Sequence, residues 1–219
     1  MRVDIWSDIV CPWCYIGKRR FETGLAAFAH RDRVEVVYHS FELDPEHPKG
    51  RTVRALDLLT SKHGMSHAQA EAAEAQVAAT AAAEGLPFVS DRPHGNTFDV
   101  HRLLHLAKDR GLQRETLALV NRALWAEQRP VFDPGSLVPP AVEAGLDANE
   151  VRRVLAGDDY AQAVRADERQ ARALGITGVP FYVLDGRYGI SGAQSAEVFT
   201  RGLEQAWAES GQGPSTASG

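Results

Sequence analysis

The sequence contains two cysteines, and they sit three positions apart as Cys11-Pro12-Trp13-Cys14. Thiols at that spacing do one of two things: they exchange with disulfides through a thiolate, or they ligate a metal. Exchange needs a thiol of lowered pKa, which a helix N-terminus supplies through unpaired N–H groups and its positive dipole end. Structural zinc needs four converging ligands. His101 with His105, and His63 with His67, have the i, i+4 spacing of a chelating pair. Both pairs lie far along the chain from the cysteines, and no second cysteine pair completes a zinc set. The cysteines are read as redox-active, and no metal ligands are assigned.

The elements around the pair supply what exchange requires. Residues 2–6 alternate as a strand and end at Ser7-Asp8; a helical stretch runs from the cysteines to about Phe28. Pro12 suits the first helical position, where its missing N–H costs nothing. Cys14, Phe21, Leu25 and Phe28 are spaced 7, 4 and 3 apart and so share one helix face. Three of them are core residues, which turns Cys14 inward and leaves Cys11 at an exposed helix start. Cys11 is thus assigned as the attacking thiolate and Cys14 as the resolving thiol, which attacks Cys11 to release the partner from a mixed disulfide.

Residues 34–43 alternate again, so the first 43 residues spell β-α-β. From Asp44 the pattern changes. After the turn-rich 44–50, residues 52–62, 66–84, 96–110 and 114–128 read as helices, the third with a stripe of Val100, Leu103, Leu104 and Ala107. Between 44 and 155 nothing reads as a strand beyond Phe88-Val89, a pair too short to assign. A Pro/Gly-interrupted stretch from Val131 to Leu146 precedes helices near 149–156 and 159–174. Strand patterning returns at Val179, with an Asp185-Gly186 hairpin turn and a last helix that Ser195 can cap. The Gly/Ser-rich tail from Ser210 is expected to be disordered. The layout is α/β: a small mixed sheet interrupted by a helical insertion.

Bulk properties narrow the partners. Net charge is −5 with no long Lys/Arg run, which argues against nucleic acid. No apolar run reaches the roughly 18 residues of a membrane span. The N-terminus runs directly into strand alternation without the basic-then-apolar build of a signal peptide, which leads to the expectation of a cytoplasmic protein. Thiols stay reduced there, so a structural disulfide is not expected.

Segment 7–22, Ser-Asp-Ile-Val-Cys-Pro-Trp-Cys-Tyr-Ile-Gly-Lys-Arg-Arg-Phe-Glu, resembles the DsbA-like oxidoreductases of the FrnE subfamily. Segments 40–45, 96–103 and 175–182 resemble that group's second strand, helical-insert signature and cis-proline segment. The resemblance implies a thioredoxin fold interrupted by a large all-helical insertion. Residues 1–43 and 175–209 would form the thioredoxin-like domain, with helix 159–174 bridging back, 44–158 the insertion and 210–219 the tail. It also implies a cis Val179–Pro180 bond facing the cysteines, Val179 offering backbone groups to an extended substrate, and Pro12 and Trp13 flanking it. The implied partner is a disulfide-containing protein or peptide, or a small thiol. No tightly bound cofactor is implied, with glutathione as the reductant.

Secreted relatives commonly carry a histidine between the cysteines where this chain has Trp13, which has no charge. Cys11 is therefore expected to be less acidic, and the pair to act as a reductase or isomerase. The related kappa-class glutathione transferases and 2-hydroxychromene-2-carboxylate isomerases imply a rival: a glutathione-dependent reaction on a small aromatic or polyketide-type substrate. Asn96, Asp99, His101 and Arg102 could line a cleft for it, although capping and surface pairing on a helix account for them more simply. A non-catalytic binding module is the third reading, and an intact Cys-Pro-Trp-Cys argues against it.

Overall fold

The computed structural model describes residues 1–210. A four-stranded sheet of order β2-β1-β5-β6 forms its centre, from β1 (Arg2–Ser7), β2 (Glu35–Ser40), β5 (Phe181–Leu184) and β6 (Tyr188–Ser191). β1 pairs parallel with β2 and antiparallel with β5, which continues antiparallel into β6. The alternation read in the sequence sorts side chains between two faces. Val3, Ile5, Tyr182 and Leu184 pack with α1 (Pro12–Ala27) and α9 (Ala196–Glu209) around Phe21 and Phe199. Trp6 points the other way, with Ala171 and Ile176, and its indole N–H donates to the Asp167 carbonyl of α8 (Ala161–Ala173). This is a thioredoxin-like core, and between β2 and α8 it carries a large helical insertion.

The insertion comprises α2 (Ala55–His63), α3 (His67–Ala83), α4 (Phe98–Asp109), α5 (Gln113–Asn121), α6 (Pro134–Glu143) and α7 (Ala148–Ala156). It docks on the sheet edge: the Gln113 side-chain amide donates to the Tyr38 carbonyl at 2.9 Å and accepts from the Tyr38 N–H at 3.0 Å, filling the open side of edge strand β2. A second anchor is aromatic. Trp125 stacks on Tyr15 of α1 at 5.2 Å and on Phe88 at 5.4 Å.

Several expectations change. The strand expected over 34–43 ends at Ser40, because the Ser40 N–H turns to the Asp167 carboxylate and the Leu43 N–H to that of Asp8. Residues 114–128 are not one α-helix: α5 passes into a π-helical turn, Arg122–Ala126, which carries Trp125. The interrupted stretch from Val131 to Leu146 contains α6 despite Pro139 and Pro140. Asp133 and Ser136 form a reciprocal cap, Pro134 opens the first turn, and Leu137, Pro140 and Ala141 are buried, which offsets the hydrogen bonds the prolines cannot make. Two two-residue strands, β3 (Val53–Arg54) and β4 (Pro93–His94), pair antiparallel inside the insertion, where none was expected. They are too short for periodicity to show.

Ser195 and Thr97 stand at the N-cap positions of α9 and α4, but neither side chain makes the capping bond. His63 and His67 fall on separate helices, divided by Gly64 in the left-handed region (φ 65°), so they form no i, i+4 pair. Ser210 closes α9 as its C-cap; the rest of the tail lies outside the described residues.

Candidate active site

Cys11 is the N-cap of α1, with extended backbone (φ −81°, ψ 114°), and Pro12 begins the helix. The Cys11 carbonyl accepts from the N–H groups of Cys14 and Tyr15 at 3.1 and 3.2 Å, so the first turn closes directly on the reactive residue. Both cysteines are free thiols. The Cys11 thiol pKa is lowered, first by the Cys14 thiol hydrogen-bonding to it, against the opposing effect of burial, and further by the Cys14 and Trp13 N–H groups; the Asp8 carboxylate pushes it back up. Cys14 is displaced upward, first by burial and then by Cys11. The helix start thus contributes as expected, but the larger stabiliser of the Cys11 thiolate is its own partner.

Cys11 is not at an exposed helix start. It is 4% exposed, about the same as Cys14 at 5%, and the surface of the motif belongs to Trp13 at 41%. The reason lies 168 residues away. The loop before β5 crosses the helix start, the Val179–Pro180 peptide bond is cis, and the Cys11 thiol donates to the Val179 carbonyl at 3.6 Å. Close contact between this loop and α1 depends on Gly17: a Cβ there would meet Tyr182 Oη at 2.7 Å and Pro180 Cγ at 3.0 Å.

The insertion adds charge that sequence reasoning missed. Asp8 is wholly buried; its backbone carbonyl accepts from the Cys11 N–H at 3.3 Å, one carboxylate oxygen from the Leu43 N–H at 2.8 Å, and the other meets His101 Nε2 at 3.3 Å. Burial favours neutral His101, yet hydrogen bonding and attraction to Asp8 outweigh it and raise its pKa. Arg92, near enough to feel the Cys11 charge, is buried over Trp125 at 4.2 Å and donates to Glu74 at 2.7 Å. Trp13 is uncharged, but the site is not without a cation. The only sequence signal for any of this was an acidic residue three positions before Cys11.

The four cleft candidates do not converge on an open cleft. Asn96 donates to the His47 carbonyl and accepts from the Phe98 N–H. Asp99 pairs with Lys49 and Arg102. Arg102 is buried and donates to the carbonyls of Val154, Gly157 and Asp159 at the end of α7. His105, like His101, is buried; it contacts Ser40 and Asp167. α4 is buried nearly all round instead of along one stripe, and its polar side chains tie the insertion together. Surface pairing describes only Asp99. A groove of about 280 Å³ does open beside Pro12, walled by Val10, Leu43, Leu58, Arg92 and His94.

A family model described as a DSBA-like thioredoxin domain matches residues 2–204. A probable DsbA oxidoreductase from Streptomyces coelicolor, known from a crystal structure, is 60% identical; the match covers 95% of this chain and 91% of that one, with a TM-score of 0.92. The uncharacterized protein YwbO of Bacillus subtilis (strain 168) is 27% identical over 204 residues, 93% of this chain and 96% of its own. The cytosolic disulfide reductase DsbM of Pseudomonas aeruginosa, solved with GSH, shares the fold at 15% identity, with 97% and 98% of the two chains covered and a TM-score of 0.62.

Proposed function

The chain belongs to the DsbA-like thioredoxin-domain family, and from that membership we propose a division of labour between its two thiols in disulfide exchange. The Cys11 thiolate attacks one sulfur of a substrate disulfide. That S–S bond breaks, the leaving sulfur takes up a proton, and a Cys11–substrate mixed disulfide forms. Cys14 then loses its proton and attacks Cys11 Sγ, releasing the second substrate thiolate and leaving the pair oxidised. The substrate disulfide gains two electrons and two protons; the reverse sequence oxidises a dithiol. Cys11 suits attack by its lowered pKa and Cys14 suits waiting by its raised one.

The observation that carries this reading is the position of Cys11 Sγ, 3.6 Å from the carbonyl before cis-Pro180. An extended peptide laid along Val179 by strand addition brings a disulfide to that sulfur, with Trp13 and Pro12 as flanking surface. We assign a disulfide-containing protein or peptide as substrate, glutathione as the donor that re-reduces the pair (two thiols giving one glutathione disulfide), and the cytoplasm as compartment. The solved DsbM–GSH structure makes glutathione the first donor to test. No helix is long and apolar enough to cross a membrane among the described residues. Within the family we place the chain in the FrnE subfamily on its 7–22 segment, with the insertion bounded at 44 and 158.

Cys11→Ala should abolish glutathione-driven reduction of an insulin-type substrate, whereas Cys14→Ala should accumulate a mixed disulfide visible by mass spectrometry. Wild-type turnover by both variants would end the proposal.

A further inference from the structure

We propose that Asp44, His47 and His94 form a binding site for one divalent cation of the zinc class, beside the groove that opens at Pro12. The two halves of the site come from distant segments. Asp44 and His47 sit in the turn after β2, where the His47 N–H donates to the Asp44 carbonyl at 3.1 Å. His94 ends β4 opposite Val53. One ligand atom from each of the three lies within 4.8 Å of the other two. Tetrahedral zinc with bonds of about 2.0–2.2 Å separates its ligand atoms by roughly 3.4 Å, so closing on the ion takes a shift of about 1 Å.

Each ring is prepared for ligation in a different way. His47 Nε2 lies 2.9 Å from the Arg51 carbonyl, which can only accept, so Nε2 carries the hydrogen. In the neutral ring this leaves the Nδ1 lone pair free, and Nδ1 faces the Asp44 carboxylate at 3.5 Å, longer than an N–H···O bond. A backbone carbonyl orienting a ligating histidine through its other nitrogen is the usual support for such a ligand. His94 Nε2 is buried and has no hydrogen-bond partner among the described residues. A buried imidazole nitrogen without a partner is costly, and an ion shared with His47 would satisfy it. The two rings stand 5.4 Å apart at 71°, edge to face.

The surroundings select the class of ion. Lys62 Nζ holds one Asp44 oxygen at 2.6 Å and leaves the other toward His47; Lys62 and Arg92 together oppose a dication. Hard ions such as Mg²⁺ and Ca²⁺, which rely on several carboxylates, would not overcome this with one. Zinc-class ions gain most of their affinity from the imidazoles. Three protein ligands leave tetrahedral zinc one further position, and Asp44 and His94 both line the groove beside Pro12.

The reduced cysteines are competing zinc ligands, so the test uses the full chain with Cys11→Ser and Cys14→Ser, stripped of metal and titrated with Zn²⁺ by calorimetry. One equivalent should bind, and adding His47→Gln or His94→Gln should weaken binding at least tenfold. No binding by the serine protein, or equal binding after the histidine substitutions, would overturn the proposal. Zinc-edge X-ray absorption on the serine protein guards against misfolded variants. A shell of nitrogen and oxygen with two imidazoles is expected, and a shell of water oxygens alone would refute the site.

Discussion

Arg102 separates two views of α4, as the wall of a substrate cleft or as an internal tie, and Arg102→Met distinguishes them. The methionine keeps most of the volume and removes every donor. The Val154 carbonyl keeps only the 3.3 Å bond from the Gly157 N–H and loses a buried bond to a charged donor, about 1.5–3 kcal/mol; the partly buried carbonyls of Gly157 and Asp159 lose about 0.5–1 kcal/mol each, because water can replace part of the bond. Asp99 retains Lys49, and the methionine's apolar burial returns about 1 kcal/mol. The expected loss is about 1.5–4 kcal/mol, within the 5–15 kcal/mol typical of a domain, so the variant still folds. In a chain of this size that is a fall in Tm of roughly 3–16 °C. Urea unfolding should show a lower midpoint at unchanged slope, while kcat/KM for disulfide reduction at 25 °C stays within about twofold of wild type. A stability loss below about 1 kcal/mol, with a raised KM, would refute the internal tie and restore Arg102 to the substrate site.

Two further outcomes follow from the core beneath the cysteines. Gly17→Ala gains roughly 0.5–1 kcal/mol of helix propensity, but its Cβ meets Tyr182 and Pro180, whose loop and core positions cannot yield cheaply; overpacking of about 1–3 kcal/mol should dominate. Urea unfolding should show net destabilisation, and the displaced Pro180 wall should slow reduction by the remaining folded enzyme; a gain in stability would show that the loop moves freely. Stability should also peak in mildly acidic solution. Against the penalty of burial, hydrogen bonds from His105 and His39 hold Asp167 below the usual carboxylate range, so that its contribution is complete above about pH 4 and is lost as pH falls through the depressed value. Burial opposes charging His39, but Asp167 and Asp4 outweigh it and raise its pKa, so its contribution is complete below about pH 6.5 and is lost as pH rises through the raised value. In urea unfolding across pH, His39→Gln should flatten the alkaline limb; an unchanged limb would remove His39 from this account.

Much of the architecture is written locally. β1, α1 and the hairpin at Asp185-Gly186, both with positive φ, follow from alternation, helix phase and turn chemistry over a few residues. α6 was hidden because its prolines oppose it locally, while burial against neighbouring helices and the Asp133–Ser136 cap favour it. Periodicity could not show that α4 is buried on nearly all sides, since beyond Asp99 the groups that hold His101, Arg102 and His105 are Asp8, carbonyls at the end of α7 and Asp167 of α8.

The cysteine pair divides along the same line. From the sequence alone came the junction of strand and helix, the positive end of that helix beneath Cys11, and the inward phase of Cys14, all consequences of backbone geometry within four turns. Only the tertiary structure decided that Cys11 is covered by the Val179–Pro180 loop and that His101 and Arg92 close on Asp8 and the site. These contacts join residues up to 168 positions apart. Burial and charge depend on what packs against a side chain, and no short window of sequence contains that information.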